Sequence, residues 1–189
     1  MNRRQILKYT AMLTGTAICA PLTGMMLTGC SEQVKKAAPL TSPLGFFSAD
    51  EFQLLSQVMD VILPKTDSPS ASDVKVNYIV DNMFGQAYPA DYQKKFTGLF
   101  AELKVFLMDK KFLTLSAQQQ ESVLLSLETL PEEQRNNAYW AYIDIKQQTV
   151  AFYLSTEEIA ENYLNYLPIP GEFKPCVSLA ELGGKAWAI

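Results

Sequence analysis

The 189-residue chain contains no histidine. That absence removes the Ser-His-Asp and Cys-His nucleophile pairs, the haem-attachment motif that ends in histidine, and the His-rich zinc and copper sites. Cysteine is nearly as scarce, with only Cys19, Cys30 and Cys176, too few to hold an iron–sulfur cluster once the N-terminal two are accounted for below. No G-x-G-x-x-G or Walker loop offers a nucleotide phosphate its backbone cradle. Basic charge is also in short supply, at 16 Lys and Arg against 20 Asp and Glu, which argues against nucleic acid or an anionic membrane surface as a partner. A carboxylate-only site survives this elimination, but the chain is not expected to be an enzyme by itself.

What is present begins at the N-terminus. Asn2-Arg3-Arg4-Gln5-Ile6-Leu7-Lys8 is followed by an uncharged, largely apolar run from Tyr9 to Leu27 and then by Leu27-Thr28-Gly29-Cys30. A basic segment, an apolar segment and a small-residue cleavage zone are the anatomy of a signal peptide. The tetrapeptide looks like a lipobox, in which Cys30 is acylated and becomes the first residue of the mature chain. Arg3 and Arg4 look like a twin-arginine address, the route used by cargo that folds before export. A transmembrane helix is the competing reading, and Pro21 with its neighbouring glycines speaks against it. Residues 1–29 are therefore expected to be a removable signal, and residues 30–45 a lipidated cysteine with a Pro/Ser/Lys-rich tether. Cleavage leaves 13 basic against 20 acidic side chains and Cys176 as the single free thiol, so no intramolecular disulfide is expected. The working location is then outside the cytoplasm, on the periplasmic side, with the choice of membrane open.

Residues 46–189 suit one domain. Ser48-Ala-Asp-Glu51 has capping-box spacing, and Phe52, Leu55, Val58, Met59 and Ile62 follow on one helical face up to Pro64. A second helix is predicted from about Ser72 to Gly85 and a third from Pro89 to about Asp109. A fourth is predicted from Ser116 to Leu127, a fifth from Pro131 to about Tyr153, and a short sixth from Ser155 to near Tyr166. Beyond Pro168 no period persists, and an extended arm is expected. Strand patterns are weak throughout. The expected fold is all-α, a small irregular bundle of five or six helices with an extended C-terminal arm.

Several residues admit two readings. Asp60, Thr66 and Asp67 are either a carboxylate site or, as preferred, groups that bond backbone amides in a Pro-flanked turn. Cys176 is either a redox thiol or, as preferred, a small buried hydrophobe. The aromatics Tyr139, Trp140, Tyr142, Phe152, Tyr153, Tyr163 and Tyr166 are expected to be mostly core. Phe173 and Trp187 either pack back on the helices or anchor in a partner pocket. Glu128, Glu132, Glu133, Glu157 and Glu158 are read as helix-start or exposed-face charges needing no ligand.

Three stretches resemble the small subunit, subunit 3, of gluconate 2-dehydrogenase-type flavoprotein complexes. The first is Asp60-Val-Ile-Leu-Pro64-Lys-Thr66-Asp67-Ser-Pro69-Ser-Ala71, similar to D-x-I-x-P-x-T-D-x-P-G-A with Ser70 where glycine is usual. The second is Thr149-Val-Ala-Phe-Tyr-Leu-Ser155, similar to T-x2-G-Y-F-x-S with Ala151 for glycine. The third is Pro170-Gly-Glu-Phe173-Lys-Pro-Cys176, with Gly183-Gly-Lys-Ala-Trp187 after it. The resemblance implies a non-catalytic subunit without its own cofactor, whose partner is a large FAD-dependent oxidoreductase of the glucose-methanol-choline type. Electrons would leave through a cytochrome c subunit carrying haem c, and the twin-arginine signal would carry the folded flavoprotein across. Asp60, Pro64, Thr66, Asp67, Pro69, Phe173, Cys176 and Trp187 are the candidate structural or partner-docking residues. The alternative is a free-standing envelope lipoprotein acting as a ligand-binding or scaffold module.

Overall fold

A computed structural model describes residues 45–169, 171–172 and 176–188. Arg3, Arg4, Cys30 and Phe173 lie outside the described residues. Among the described residues six α-helices follow in order: α1 (Ala49–Ile62), α2 (Val76–Asn82), α3 (Ala90–Asp109), α4 (Ala117–Glu128), α5 (Asn137–Ser155) and α6 (Glu157–Asn162). A π-helical turn (Met83–Ala87) continues α2, and 3-10 turns at Phe112–Thr114 and Glu132–Gln134 precede α4 and α5. The described residues contain no β-strand, only an isolated bridge between Asn165 and Trp187. The fold is all-α, as expected.

The helix boundaries follow from capping chemistry. Ser48 and Glu51 close the capping box of α1, and Ser116 with Gln119 close that of α4. The second helix starts later than predicted, at Val76. Ser72 gives its backbone N–H and its hydroxyl to Asp60, and Lys75 takes a left-handed φ of 62°, which a continuing helix does not tolerate. The fifth helix also starts late. Pro131 opens only a 3-10 turn, after which the Asn136 side chain accepts from the Tyr139 N–H at 3.1 Å and caps α5. The sixth begins after Thr156 and stops at Asn162 rather than near Tyr166, because Asn165 turns away to bond the C-terminal arm through its N–H to Ala186 and its carbonyl to Ala188.

The two longest helices, α3 and α5, form the most extensive helix pair. Around them one core gathers Leu55, Met59, Phe84, Phe96, Leu103, Leu107, Phe112 and Ile145, each almost wholly buried. The aromatic expectation holds for Tyr139, Tyr142 and Tyr153, which are buried, and for Phe152, which packs against the core. It fails for Trp140, Tyr163 and Tyr166, which are exposed. Trp140 lies on the outward face of α5, where helical spacing alone does not separate a second apolar stripe from the core-facing one, and Tyr163 and Tyr166 lie past the end of α6, where that spacing no longer applies. No described helix is long and apolar enough to cross a membrane.

Candidate functional site

The loop between α1 and α2 collects most of the singled-out residues. Pro64 ends α1 by removing a backbone donor, and the Leu63 carbonyl then accepts from the Ala71 N–H at 3.1 Å, closing the loop on itself. From the last turn of α1, Asp60 reaches across and accepts from the Ser72 N–H at 2.8 Å and the Ser72 hydroxyl at 2.6 Å. Thr66 and Ser68 form a tight turn, with the Thr66 N–H bonded to the Ser68 carbonyl at 2.9 Å. Two tyrosines hold the far side. Tyr153 donates to the Pro69 carbonyl at 2.7 Å and Tyr163 to the Asp67 carbonyl at 3.1 Å.

Asp67 is thus held through its main chain, and its side chain is exposed. Asp60 is occupied by Ser72. Among the described residues no group of three His, Cys, Asp or Glu side chains is arranged to hold a metal ion. Ser70, standing where the resembled pattern has glycine, is nearly buried and has an ordinary backbone conformation. Its N–H donates to Asp73 and its hydroxyl accepts from the Asp73 N–H, so the side chain joins the turn that a glycine would leave to backbone alone. The Ser70 N–H is the main reason that the Asp73 carboxyl sits below its ordinary value, with Lys65 adding to the effect.

The first two of the three stretches therefore touch, because Tyr153 of the second bonds Pro69 of the first. Thr149, fully buried, returns its hydroxyl to the Ile145 carbonyl within α5. The described part of the third stretch lies apart on the arm. Its backbone is pinned at Asn165, whose side chain donates to the carbonyls of Leu182 and Lys185. Gly183 and Gly184 turn the chain at φ 63° and 81°, where a Cβ would be strained. Cys176 is exposed, contrary to the buried-hydrophobe expectation: the arm has no second layer to cover it. Trp187 is 48 % exposed, so the arm returns to the body through main-chain bonds while the indole stays half in solvent.

Other features escaped the sequence reading. Asn77 and Asp81 are buried on the core face of α2, and the Asn77 side chain donates to Ser56 at 2.8 Å. Their spacing of four, in step with Val76, Val80 and Phe84, was the available signal. Between α3 and α5, Tyr92 donates to Asp144 at 2.5 Å, and Gln148 links Asp144, Tyr92 and Tyr88. Burial, and then Asp144, push the Tyr92 phenol far above its ordinary range, so it is a fixed donor rather than an acid or base near neutrality. Beside this network an open groove of about 530 Å³ is lined by Leu99, Trp140, Ile143 and Asp144, among others. Glu128, at the last turn of α4 rather than at a helix start, bonds Lys146 and Tyr142.

A family model described as Gluconate 2-dehydrogenase subunit 3 matches residues 49–171. The chain belongs to the gluconate 2-dehydrogenase subunit 3 family. No curated protein and no solved structure matches it. The family match takes in the 63–75 loop and the Tyr153 contact beneath it. It ends at Gly171, so Cys176 and Trp187 fall beyond the matched subunit 3 region.

Proposed function

We propose that this chain is the non-catalytic small subunit of a membrane-associated, FAD-dependent sugar or polyol dehydrogenase complex, and that it serves export, assembly and tethering of the flavoprotein subunit. The observation that carries the reading is membership of the subunit 3 family across 49–171. A subunit needs a face for its partner, and α5 offers one. Beside its core-facing row this helix carries a second apolar row, Trp140, Ile143, Val150 and Leu154, interrupted by Gln147. Ala141, Tyr142, Ile145 and Tyr153 are buried, while Trp140 and Val150 face solvent and Ile143 and Leu154 are only partly covered. An apolar row left partly uncovered beside the core-facing one is the kind of surface a partner packs on.

The partner in this reading is the large FAD subunit of the glucose-methanol-choline type, with a haem c cytochrome as a third component. Residues 1–29 address the folded assembly through Arg3 and Arg4, and the lipid on Cys30 holds it to the membrane on the periplasmic side. The cofactor that justifies a folded-cargo signal then belongs to the passenger. The Arg3→Lys/Arg4→Lys double variant is expected to leave both this chain and the flavoprotein in the cytoplasm. Normal export of the flavoprotein in that variant contradicts the carrier role.

A further inference from the structure

The described body begins at Gly45, and a single buried side chain holds its first three residues. Asp81, on α2 and 2 % exposed, accepts from the backbone N–H of Gly45 at 2.7 Å, of Phe46 at 3.0 Å and of Phe47 at 2.9 Å. These residues belong to no helix or strand, so the carboxylate takes the place of a regular backbone ladder. Charge-assisted bonds of this kind are the strong ones, and without the carboxylate the partly buried amides lose their partners.

Two further features close the arrangement. The π-helical turn begins two residues after Asp81 and brings Gly85 against Gly45, where an added Cβ would stand 3.4 Å from the Gly45 carbonyl carbon. π-turns of this kind are local insertions that re-aim a helix end. The two phenylalanines then plug the core. Phe46 stacks on Phe84 at 5.1 Å, and Phe47 meets the edges of Phe84, Phe96 and Phe100 at 5.3 to 6.2 Å. Ser48 caps α1 directly afterwards.

We propose that Gly45–Phe47 is a strap joining the N-terminal tether to the helical body, and that Asp81 is its lock. The consequence rests on the reading of Cys30 as the lipid anchor. On that reading the anchor acts on the bundle through the strap, at one point between α2 and α3. A polar group that merely stabilised the core would spread its effect over every helix it touches. The lock confines its effect to the strap.

The test measures amide hydrogen exchange in the full chain for wild type, Asp81→Asn, Asp81→Ala and Gly85→Val, with protease release from membranes as the second readout. In Asp81→Asn the strap amides are expected to exchange about tenfold faster, with larger acceleration in Asp81→Ala, while the α3 amides around Phe96 and Phe100 keep their wild-type rates. Protease should free the body from the membrane faster in the same variants. If both Asp81 variants fail to fold, Gly85→Val decides, since a Cβ there already stands in contact with Gly45 at 3.4 Å and its methyl groups reach further while the carboxylate stays in place; it too should accelerate the strap alone. Unchanged strap exchange, or equal acceleration across α3, overturns the proposal. Wild-type chain recovered free of the membrane contradicts the anchoring reading instead, and the exchange readout needs no membrane.

Discussion

The loop at 63–75 and the arm after Asn162 are both irregular, yet they are held in opposite ways. The loop is fastened by side chains from outside it: Asp60 on Ser72 and Tyr153 on Pro69, both from helices, and Tyr163, where the arm starts, on Asp67. Its end is buried at Ser70 and Ala71. The arm is fastened by Asn165 and the backbone around it, and Leu179 and Trp187 stay largely in solvent. Irregular backbone becomes part of a folded body when buried groups in regular elements satisfy it. Otherwise it opens at low cost.

The comparison can be broken at either segment. Removing the Asp60 carboxylate should do the most damage, because two bonds to a charged acceptor are lost together. Asp60→Ala is expected to lower stability by about 2 kcal/mol, read from denaturant unfolding. Tyr153→Phe strands the Pro69 carbonyl and should cost about 1 kcal/mol. Equal or smaller losses than those of arm variants would erase the distinction.

Acid should act on the body as well. Glu51 is held below its ordinary value of 4.5 chiefly by the Ser48 hydroxyl, with Lys104 adding, and Glu128 chiefly by Lys146. Folded-state carboxyls depressed in this way contribute stability that is present above pH 4.5 and is lost as pH falls through the folded values. Both pairs are about one-third exposed, so the effect is modest after solvent screening. Lys146→Met should flatten the acid limb of a melting-temperature-against-pH curve.

On the arm, Asn165→Ala should change global stability by less than about 0.5 kcal/mol while the Asn165 and Ala188 amides lose protection from exchange. The smallest effect is expected from alkylating Cys176. The exposed thiol should react in the native state and leave the melting temperature unchanged. A native thiol that resists alkylation would mean that the arm is covered.

These contrasts also explain what was legible in advance. Capping boxes at Ser48 and Ser116, the stop at Pro64 and the apolar stripe of α3 are local signals, and each led to the right element. The starts of α2 and α5 were not legible, because they depend on competition. Asp60 draws Ser72 out of a helix from twelve residues away, and Asn136 outbids Pro131 as the cap. The loop was recognised as a turn, but its clasp by Tyr153 is a contact across 84 residues that no local pattern encodes. Trp140 is expected in the core on helical spacing, and it lies instead on the second, uncovered apolar row of α5. That same feature supports a partner-facing surface.

The central proposal is that this surface serves a flavoprotein and that the chain is held to a membrane by a lipid at Cys30. The most direct measurement is affinity purification of the full chain from detergent-solubilised membranes, followed by an absorption spectrum. A second, larger polypeptide with visible flavin absorption is the predicted result. Recovery of this chain alone and colourless, under conditions mild enough to keep membrane complexes together, would contradict it.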